Sequence, residues 1–262
     1  MNNELLIRFG CFSSTLLIMA VWEMIAPRRK LLVSKKLRWL SNIGILILDT
    51  LILRAIFPLA AVGAAAIADQ QNWGLFNFIS LPYWQSVLLS VISLDLMIYC
   101  QHVMFHKLPI LWQLHKVHHA DRDFDLTTGL RFHPLEILLS MAIKITGITL
   151  LGAPVIAVMI FEILLNSTAL FNHSNINLSL KFDHILRWAV VTPDMHRIHH
   201  SVIPQETNSN FGFNIPWWDY LFGTYRDSPV MGHEDMEIGL SEYQQTLRVE
   251  QLPWMLILPF LK

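Results

Sequence analysis

Cysteine is scarce in this chain of 262 residues, which contains two, Cys11 and Cys100. Both lie in apolar stretches, so the sequence predicts neither a disulfide framework nor a thiolate metal site. Charge is scarce as well, because Asp, Glu, Lys and Arg make up 15% of the residues and the formal net charge is -1. This balance gives no indication of a nucleic-acid partner. A His-Glu-x-x-His zinc motif is also missing, since His233-Glu234 lacks the second histidine.

Apolar residues are abundant and account for 53% of the chain. This composition is typical of an integral membrane protein with one substantial water-facing portion. Residues 5–26 are enough to cross a hydrocarbon core of about 30 Å, and they lack a signal-peptide cleavage site, so we expect this helix to remain on the protein. Further spans are predicted at 43–68 and at 81–100, the latter continuing as a helix to His106. A hairpin of two helices is predicted at 137–171, broken by Gly152-Ala153-Pro154.

Basic residues predict the orientation of these spans. Six Lys and Arg lie between Arg28 and Arg38, whereas residues 69–80 contain none. Because Lys and Arg concentrate on the cytoplasmic side, we expect an outside N-terminus, four membrane-inserted units and clustered histidines at the cytoplasmic edge. Asp49 and Arg54 fall inside the second span, where ionisable residues have a pairing or functional role unless they lie near an interface.

Three histidine clusters carry the main functional signal. They are His102-x3-His106, His115-x2-His118-His119 and His196-x2-His199-His200. Residues at i, i+3 and i+4 share one face of a helix, so each cluster directs its imidazoles the same way. Protonated together they would repel one another, and neutral without metal they would lack partners. Imidazole binds zinc, copper, iron and nickel, and a tetrahedral zinc needs four ligands. Eight histidines are therefore better explained by two metals in one pocket.

Further candidates lie near these clusters. His173 shares a face of the returning hairpin helix with Glu162 and Asn166, and we predict it as a ninth ligand. Glu136 and Glu162 are the candidate carboxylates, either for holding an imidazole N–H or for proton delivery. Asp95 could accept from an imidazole or make a polar contact between helices.

The remaining histidines are less specific. His133 precedes a proline, so it is not expected inside a helix; it is a ligand, a residue that supports a ligand or an ordinary turn residue. His184 and His233 are solitary.

The sequence Thr192-Pro193-Asp194 predicts the start of the helix that carries the third cluster, and Pro204 is expected to end that helix.

The C-terminal third contains an aromatic stretch at 208–225 and an apolar tail at 252–261. The aromatic stretch is not periodic and favours anchoring at the membrane interface, with a lid over the metal pocket as the second interpretation. The tail is too short to span a membrane and is expected to lie on the surface.

The three ordered histidine motifs, with a membrane hairpin between the second and the third, resemble the fatty acid hydroxylase superfamily, also described as sterol desaturase-like. The resemblance covers roughly residues 81–226. The strings at 130–136, 171–175 and 218–225 resemble the bacterial branch of this superfamily. Some members carry a further histidine four residues after the counterpart of His173, and Asn177 stands there in this chain.

The resemblance implies two iron ions held by the clustered histidines, molecular oxygen as co-substrate, and hydroxylation or less often desaturation of a membrane lipid. Electrons would come from a separate ferredoxin- or cytochrome b5-type reductant, in agreement with the absence of a nucleotide-binding glycine motif or a haem-attachment motif from the chain. A bacterial inner membrane is favoured over the endoplasmic reticulum.

We therefore expect an all-α fold, a multi-pass membrane helical bundle with a cytosolic histidine-rich helical cap. Its predicted parts are N-terminal membrane helices at 1–80, a catalytic domain at 81–230 and a surface tail at 231–262. Two other functions stay open on the residues alone. One is a membrane zinc hydrolase, and the other is a metal-binding or transport protein, which would place ionisable groups near the bilayer midplane.

Overall fold

The computed structural model describes residues 3–79 and 81–261; residues 1, 2, 80 and 262, which fall at the edges of the predicted N-terminal and C-terminal parts, lie outside the description. Within the described ranges the chain is helical and forms no strand. Two isolated bridges pair Pro27 with Ile176 and Ser201 with Ile238. The predicted all-α fold is confirmed.

Fourteen α-helices lie within the described residues. They are α1 Glu4–Ile25, α2 Lys35–Ile56, α3 Ala60–Gln70, α4 Leu75–Phe78, α5 Tyr83–Lys107, α6 Pro109–His119, α7 Pro134–Leu151, α8 Val155–Asn172, α9 Leu180–Leu186, α10 Pro193–His199, α11 Pro204–Thr207, α12 Trp217–Phe222, α13 Gly232–Asp235 and α14 Leu252–Ile257. Short 3-10 helices occupy Leu126–Leu130, Ser241–Tyr243, Arg248–Glu250 and Leu258–Phe260.

Five helical segments are long and apolar enough to cross a membrane, so the chain is an integral membrane protein. They are Glu4–Ile25, Lys35–Phe78, Tyr83–Lys107, Pro134–Leu151 and Val155–Asn172. The four predicted membrane units correspond to these segments, because α7 and α8 are the two arms of the predicted hairpin. The second unit differs in detail: α2 ends at Ile56 and α3 begins at Ala60, since Pro58 between them has no N–H with which to continue a helix.

The tip of the hairpin defines one end of the bundle. Gly152 ends α7 with φ of +65°, in the left-handed region that glycine adopts without strain. Gly74, also at positive φ, approaches so closely that a Cβ there would lie 2.0 Å from the Gly152 main-chain nitrogen. The loop after α3 therefore packs on the hairpin tip. From this tip α8 runs about 27 Å to its other end, beside His173.

The basic loop between α1 and α2 lies at that other end. Arg28 donates its main-chain N–H to the Asn175 carbonyl at 2.7 Å. The carboxylate of Asp123, four residues beyond the second histidine cluster, accepts the main-chain N–H groups of Leu32 and Val33 at 2.6 Å each. The six basic residues and the histidine clusters therefore share one edge of the bundle.

The C-terminal tail is packed more deeply than the sequence predicted. Met255 and Leu258 are fully buried, and they form one apolar cluster with Ile45 of α2 and Val117 of α6. The exposed residues of the tail are Pro253, Ile257 and Phe260. The tail covers the side of α6 opposite its histidines, because Met255 and Leu258 pack against Val117 there.

Candidate metal centre

Consecutive helices α5 and α6 deliver the first two histidine clusters. α5 continues without interruption to Lys107, as predicted, so His102 and His106 occupy its last turns. Leu108 is extended, and Pro109 starts α6 at its first position, where a missing N–H costs nothing. His115, His118 and His119 then fall in the last turns of α6, which packs against α5.

Helix α10 delivers the third cluster. The Thr192 hydroxyl accepts from the Met195 main-chain N–H at 3.2 Å, and Pro193 is the first helical residue, so the predicted helix start is confirmed. The predicted end is wrong: α10 stops at His199, and Pro204 begins the separate helix α11. His200 follows directly as the C-cap.

Nine histidines form two groups. Within each group the candidate ligand nitrogens all lie within 4.8 Å of one another. One group is His102, His106, His115, His119 and His199. The other is His118, His173, His196 and His200. His106 is partly exposed and the other eight are buried. The structure thus brings together the eight clustered histidines and His173.

These groups fit metal ions. A metal–imidazole bond of about 2.1 Å places two ligands on opposite sides of one ion about 4.2 Å apart, close to the span of each group. Buried nitrogens also lack other partners: among the residues described, none hydrogen-bonds Nε2 of His102, His115 or His199. In the second group the Nε2 atoms of His118 and His196 lie 3.2 and 3.1 Å from Nε2 of His173, so three rings direct the same atom at one point. Unsatisfied buried polar groups are rare in proteins, and a metal would satisfy these.

Four of the nine imidazoles are held by an acceptor on Nδ1. The pairs are His102 with the Phe211 carbonyl at 2.9 Å, His115 with Glu136 Oε1 at 2.7 Å, His173 with the Ala169 carbonyl at 2.8 Å, and His199 with the Ser209 carbonyl at 2.8 Å. Each acceptor requires the proton on Nδ1, because carbonyl and carboxylate oxygens cannot donate. The lone pair is then on Nε2, which is how ligating histidines are usually oriented.

Burial also keeps three of these imidazoles, those of His118, His173 and His199, neutral near pH 7. It lowers the pKa of His173 to about 4. Burial and then the neighbouring His115 lower the pKa of His199 to about 3. For His118, burial and then His173 bring the pKa well below its usual value. A metal ligand must be unprotonated, so near neutral pH these side chains are already in the state that binds metal.

The two candidate carboxylates have different positions. Glu136 starts α7 beside the centre and holds His115. Glu162 lies eleven positions before His173 on α8, about 16 Å along the helix axis. Its carboxylate instead accepts from Lys144 at 3.2 Å and pairs with Arg8 at 2.7 Å. The structure therefore brings Glu136, and not Glu162, to the histidines.

Asp95 and His133 make contacts other than with the centre. The Asp95 carboxylate accepts from Trp218 Nε1 at 2.7 Å, which is the polar contact between elements rather than an imidazole contact. His133 caps α7: its Nδ1 accepts from the Leu135 main-chain N–H at 3.2 Å. Its Nε2 lies 3.2 Å from the Leu256 carbonyl, to which it donates. Both nitrogens are thus occupied, and His133 is a capping residue.

The two solitary histidines stay outside both groups. His184 is exposed and pairs with Asp227 at 3.5 Å. His233 is buried 4.0 Å from Asp194. Burial is the first cause that lowers the pKa of His233 to about 4.

The aromatic stretch at 208–225 covers the centre with its first half. The Phe211 ring lies 5.1 Å from His106, 5.4 Å from His199 and 5.5 Å from His102, between ring centroids. The carboxylate of Asp219 fixes this segment by accepting from the Phe211 and Gly212 main-chain N–H groups at 2.7 Å each. The lid interpretation describes this half, whereas the second half exposes Trp217 in the manner expected of an interfacial anchor.

A buried ion pair holds the segment after the second cluster. Arg38 of α2 donates to both oxygens of Asp121 at 2.7 and 2.8 Å and to Asp125 at 2.6 Å. Burial opposes ionisation of Asp121, but the Arg38 guanidinium outweighs it, and the pKa of Asp121 is lowered to about 2. Because Asp121 is two residues after His119, this pair ties the end of α6 to the first membrane helices.

Sequence reasoning missed several parts of the centre. The carbonyls of Ala169, Ser209 and Phe211 leave no trace in residue identity, because every residue has one. Arg38 appeared as one basic residue among six, although it is fully buried. Its position at the start of an apolar span, with Asp121 and Asp125 after a histidine cluster, was the available signal.

A cavity lies against both groups of histidines. It borders His102 and His115 of the first group and His118 and His196 of the second. The Phe132 ring lies on one side, stacked on His118 at 4.5 Å between centroids and 8° from parallel. An apolar molecule in this cavity would therefore touch imidazoles of both groups.

Comparison with known proteins agrees with this geometry. An ornithine lipid hydroxylase from Rhizobium tropici is 31% identical over 159 residues, which are 60% of this chain and 46% of that protein. Alkylglycerol monooxygenases are also similar, with 31% identity over 156 residues for Xenopus tropicalis and 28% over 165 residues for Homo sapiens. These alignments cover 58% and 59% of this chain and 34% of each relative, so the chain spans half or less of the length of the relatives it matches. No solved structure matches.

The model of the fatty acid hydroxylase family matches residues 87–224. This range contains all nine histidines of the two groups, both arms of the membrane hairpin and Glu136, and it lies inside the predicted catalytic segment 81–230. With more than half of its length matched, the chain belongs to the fatty acid hydroxylase family.

Proposed function

We propose that this protein is a membrane-bound, oxygen-dependent lipid hydroxylase with two iron ions in the histidine groups. The observation that carries the proposal is the pair of adjacent groups, with five and four candidate ligands, which border one cavity. A single ion cannot use nine imidazoles. The similarity to an ornithine lipid hydroxylase and to alkylglycerol monooxygenases supports the same class of reaction.

Iron bound there would supply the redox chemistry that activates oxygen toward a C–H bond, which side-chain acids and bases cannot attack. The protein supplies placement. Glu136 and the carbonyls of Phe211, Ser209 and Ala169 fix four imidazoles with Nε2 toward the metal. Phe132 and Phe211 shield the centre from water.

The substrate would be a membrane lipid, whose chain enters the cavity beside both groups. The apolar wall of this cavity includes Ile98 and Phe105 of α5, a helix long enough to span the membrane. These contacts support entry of the lipid tail from the bilayer alongside α5. We favour hydroxylation over desaturation; the outcome depends on whether a second hydrogen atom lies within reach of the oxidant.

The electron donor would be a separate ferredoxin- or cytochrome b5-type protein, in a bacterial inner membrane rather than the endoplasmic reticulum. The centre shares one edge of the bundle with the basic loop between Arg28 and Arg38. Basic loops favour the cytoplasm, which supports a centre on the cytoplasmic side, where reduced carriers are available.

Two other functions fit the geometry less well. A zinc hydrolase needs one ion with three protein ligands and an open position, fewer than either group provides. A transporter needs ionisable groups along a path near the bilayer midplane, whereas these histidines gather at one end of the bundle.

Metal analysis of the purified protein tests the proposal. Iron at about two per chain would support an oxygenase. One zinc per chain with no iron would contradict it and favour hydrolysis.

A further inference from the structure

The cavity beside the histidines has a mostly apolar wall. Ile98, Phe105, Phe132 and Phe213 line it together with the four imidazoles described above. Two other polar side chains reach it, Gln101 and Glu136. In a cavity that receives a lipid, these two polar groups require an explanation.

Each of these side chains has one polar atom engaged and one acceptor oxygen left over. Glu136 uses Oε1 for His115, and its buried Oε2 has no hydrogen-bond partner among residues 3–79 and 81–261. Gln101 donates through Nε2 to the Ser140 hydroxyl at 3.0 Å, which turns its Oε1 away from Ser140. That Oε1 is also buried and unpartnered within the described part of the chain.

Both acceptors belong to side chains that line the cavity, and the helices that carry them are joined. Gln101 precedes His102 on α5, and Ser140 follows Glu136 by one helical turn on α7. The Gln101–Ser140 hydrogen bond therefore ties the two helices beside the cavity. Neither acceptor belongs to the two groups of candidate ligand nitrogens. Buried acceptors without donors are rare in proteins, so a molecule that occupies the cavity should supply donors.

We propose that Gln101 Oε1 and Glu136 Oε2 form a polar subsite that selects lipids bearing hydroxyl or amide N–H donors next to the carbon that reacts. This inference rests on the proposed function and narrows its substrate class. A plain hydrocarbon or fully esterified lipid segment would leave both acceptors unpaired. A site built to hydrogen-bond a substrate group rejects the analogue that lacks this group.

A matched pair of probes tests the subsite by binding rather than by turnover. The full chain in lipid nanodiscs is titrated with tritiated hexadecane-1,2-diol, and unlabelled diol or 1,2-dimethoxyhexadecane competes for the site. The two compounds share the chain and the oxygens, and the dimethoxy compound carries O–CH3 groups in place of the O–H donors. With each hydrogen bond contributing about fivefold, we expect the diol to bind at least tenfold more tightly.

Variants then assign the effect to Gln101. Gln101→Met keeps the length of the side chain, and it should lower the diol preference about fivefold while the affinity for the dimethoxy compound stays the same. The matched control is Gln113→Met, because Gln113 lies on α6, also has an unpartnered buried Oε1 within the described residues and does not line the cavity. It should keep the wild-type preference.

Equal affinity for the two probes in the wild-type protein would overturn the inference without any variant. A full diol preference in Gln101→Met with wild-type metal content would overturn the role of Gln101. These failures are distinct from failure of the proposed function. A protein that binds the diol selectively but oxidises no lipid contradicts the function alone, whereas a lipid hydroxylase that does not distinguish the probes contradicts the subsite alone.

Discussion

His115 and Glu136 lie 2.7 Å apart, Nδ1 to Oε1, and join the last turns of α6 to the first turn of α7. Both side chains are buried. The carboxylate holds the proton on Nδ1, which leaves Nε2 to face the first group of histidines. The same residue lines the cavity, and its second oxygen is buried without a hydrogen-bond partner among the described residues. Glu136 is thus the one acidic side chain that contacts both the candidate ligands and the candidate substrate space within the described residues.

Removal of this carboxylate should weaken metal binding. We expect Glu136→Leu to lower the metal affinity about 10- to 100-fold, because His115 loses the acceptor that fixes its ring. Glu136→Gln should have a smaller effect, since the amide carbonyl can still accept from Nδ1. Chelator competition measures both affinities. Glu162→Gln is the control and should retain wild-type affinity, and a Glu136→Leu protein with unchanged affinity would contradict the assignment.

His173 should behave as a ligand even though it lies outside the three paired motifs. His173→Ala reduces the second group from four candidate ligands to three, so metal content should fall from about two ions per chain toward about one. Elemental analysis of the purified variant gives this number.

The controls for His173 are the histidines outside both groups. His184→Ala and His233→Ala should keep all of the metal. His133→Ala should keep it too and should instead lower the free energy of unfolding by about 1 kcal/mol, because it removes the cap of α7. If these three variants lose as much metal as His173→Ala or His118→Ala, the ligand set is wrong.

The helical phase of the histidine motifs could be predicted from sequence, and so could the start of α10 at Thr192. The division into two groups could not. His118 and His119 are neighbours in sequence but belong to different groups, as do His199 and His200. Consecutive residues on a helix point about 100° apart, so the second and third motifs each contribute to both groups, whereas His102 and His106 both belong to the first. Which imidazoles meet depends on how α5, α6 and α10 pack, and this is not a local property of any motif.

The carboxylates show the same limit of local reasoning. Glu136 and Glu162 were equal candidates by residue type. Lys144 on the facing helix α7 and Arg8 on α1 neutralise Glu162 in the structure, and neither is near it in sequence. The tail was misplaced for a related reason, because its burial depends on Val117 and Ile45 being at hand.

The buried Arg38–Asp121 pair should contribute strongly to stability. Arg38→Met leaves Asp121 and Asp125 buried without their cation, so we expect a loss of about 3–5 kcal/mol in the free energy of unfolding. Denaturation in detergent, followed by tryptophan fluorescence, measures this loss. Lys36→Met, an exposed substitution on the same helix, should change stability by less than about 0.5 kcal/mol. Equal stability of the two variants would contradict the role of the pair.

The same pair predicts a pH dependence. The pKa of Asp121 is lowered from 3.8 to about 2 in the folded protein. Its contribution to stability is therefore present above pH 4 and is lost as the pH falls from about 4 to about 2. In the Arg38→Met protein this acid-sensitive part of the stability curve should be smaller.

Cysteine labelling tests the orientation of the bundle. In a protein lacking Cys11 and Cys100, a cysteine at Lys35 should resist an impermeant maleimide on intact cells, because the basic loop favours the cytoplasm. A cysteine at Gln71 should react, since it lies in the loop that packs near the hairpin tip. The neighbouring residue Asn72 is less suitable for a cysteine, because its φ of +53° disfavours most side chains. Labelling of position 35 from outside would reverse the topology.

Oxygen incorporation tests the central claim most directly. The purified protein, supplied with iron, a ferredoxin or cytochrome reducing system and total lipid extract, is incubated under oxygen-18 gas, and the lipids are examined by mass spectrometry. The account predicts a lipid product that carries one labelled oxygen atom and is lost in the His118→Ala protein. Lipid turnover without uptake of labelled oxygen would contradict it.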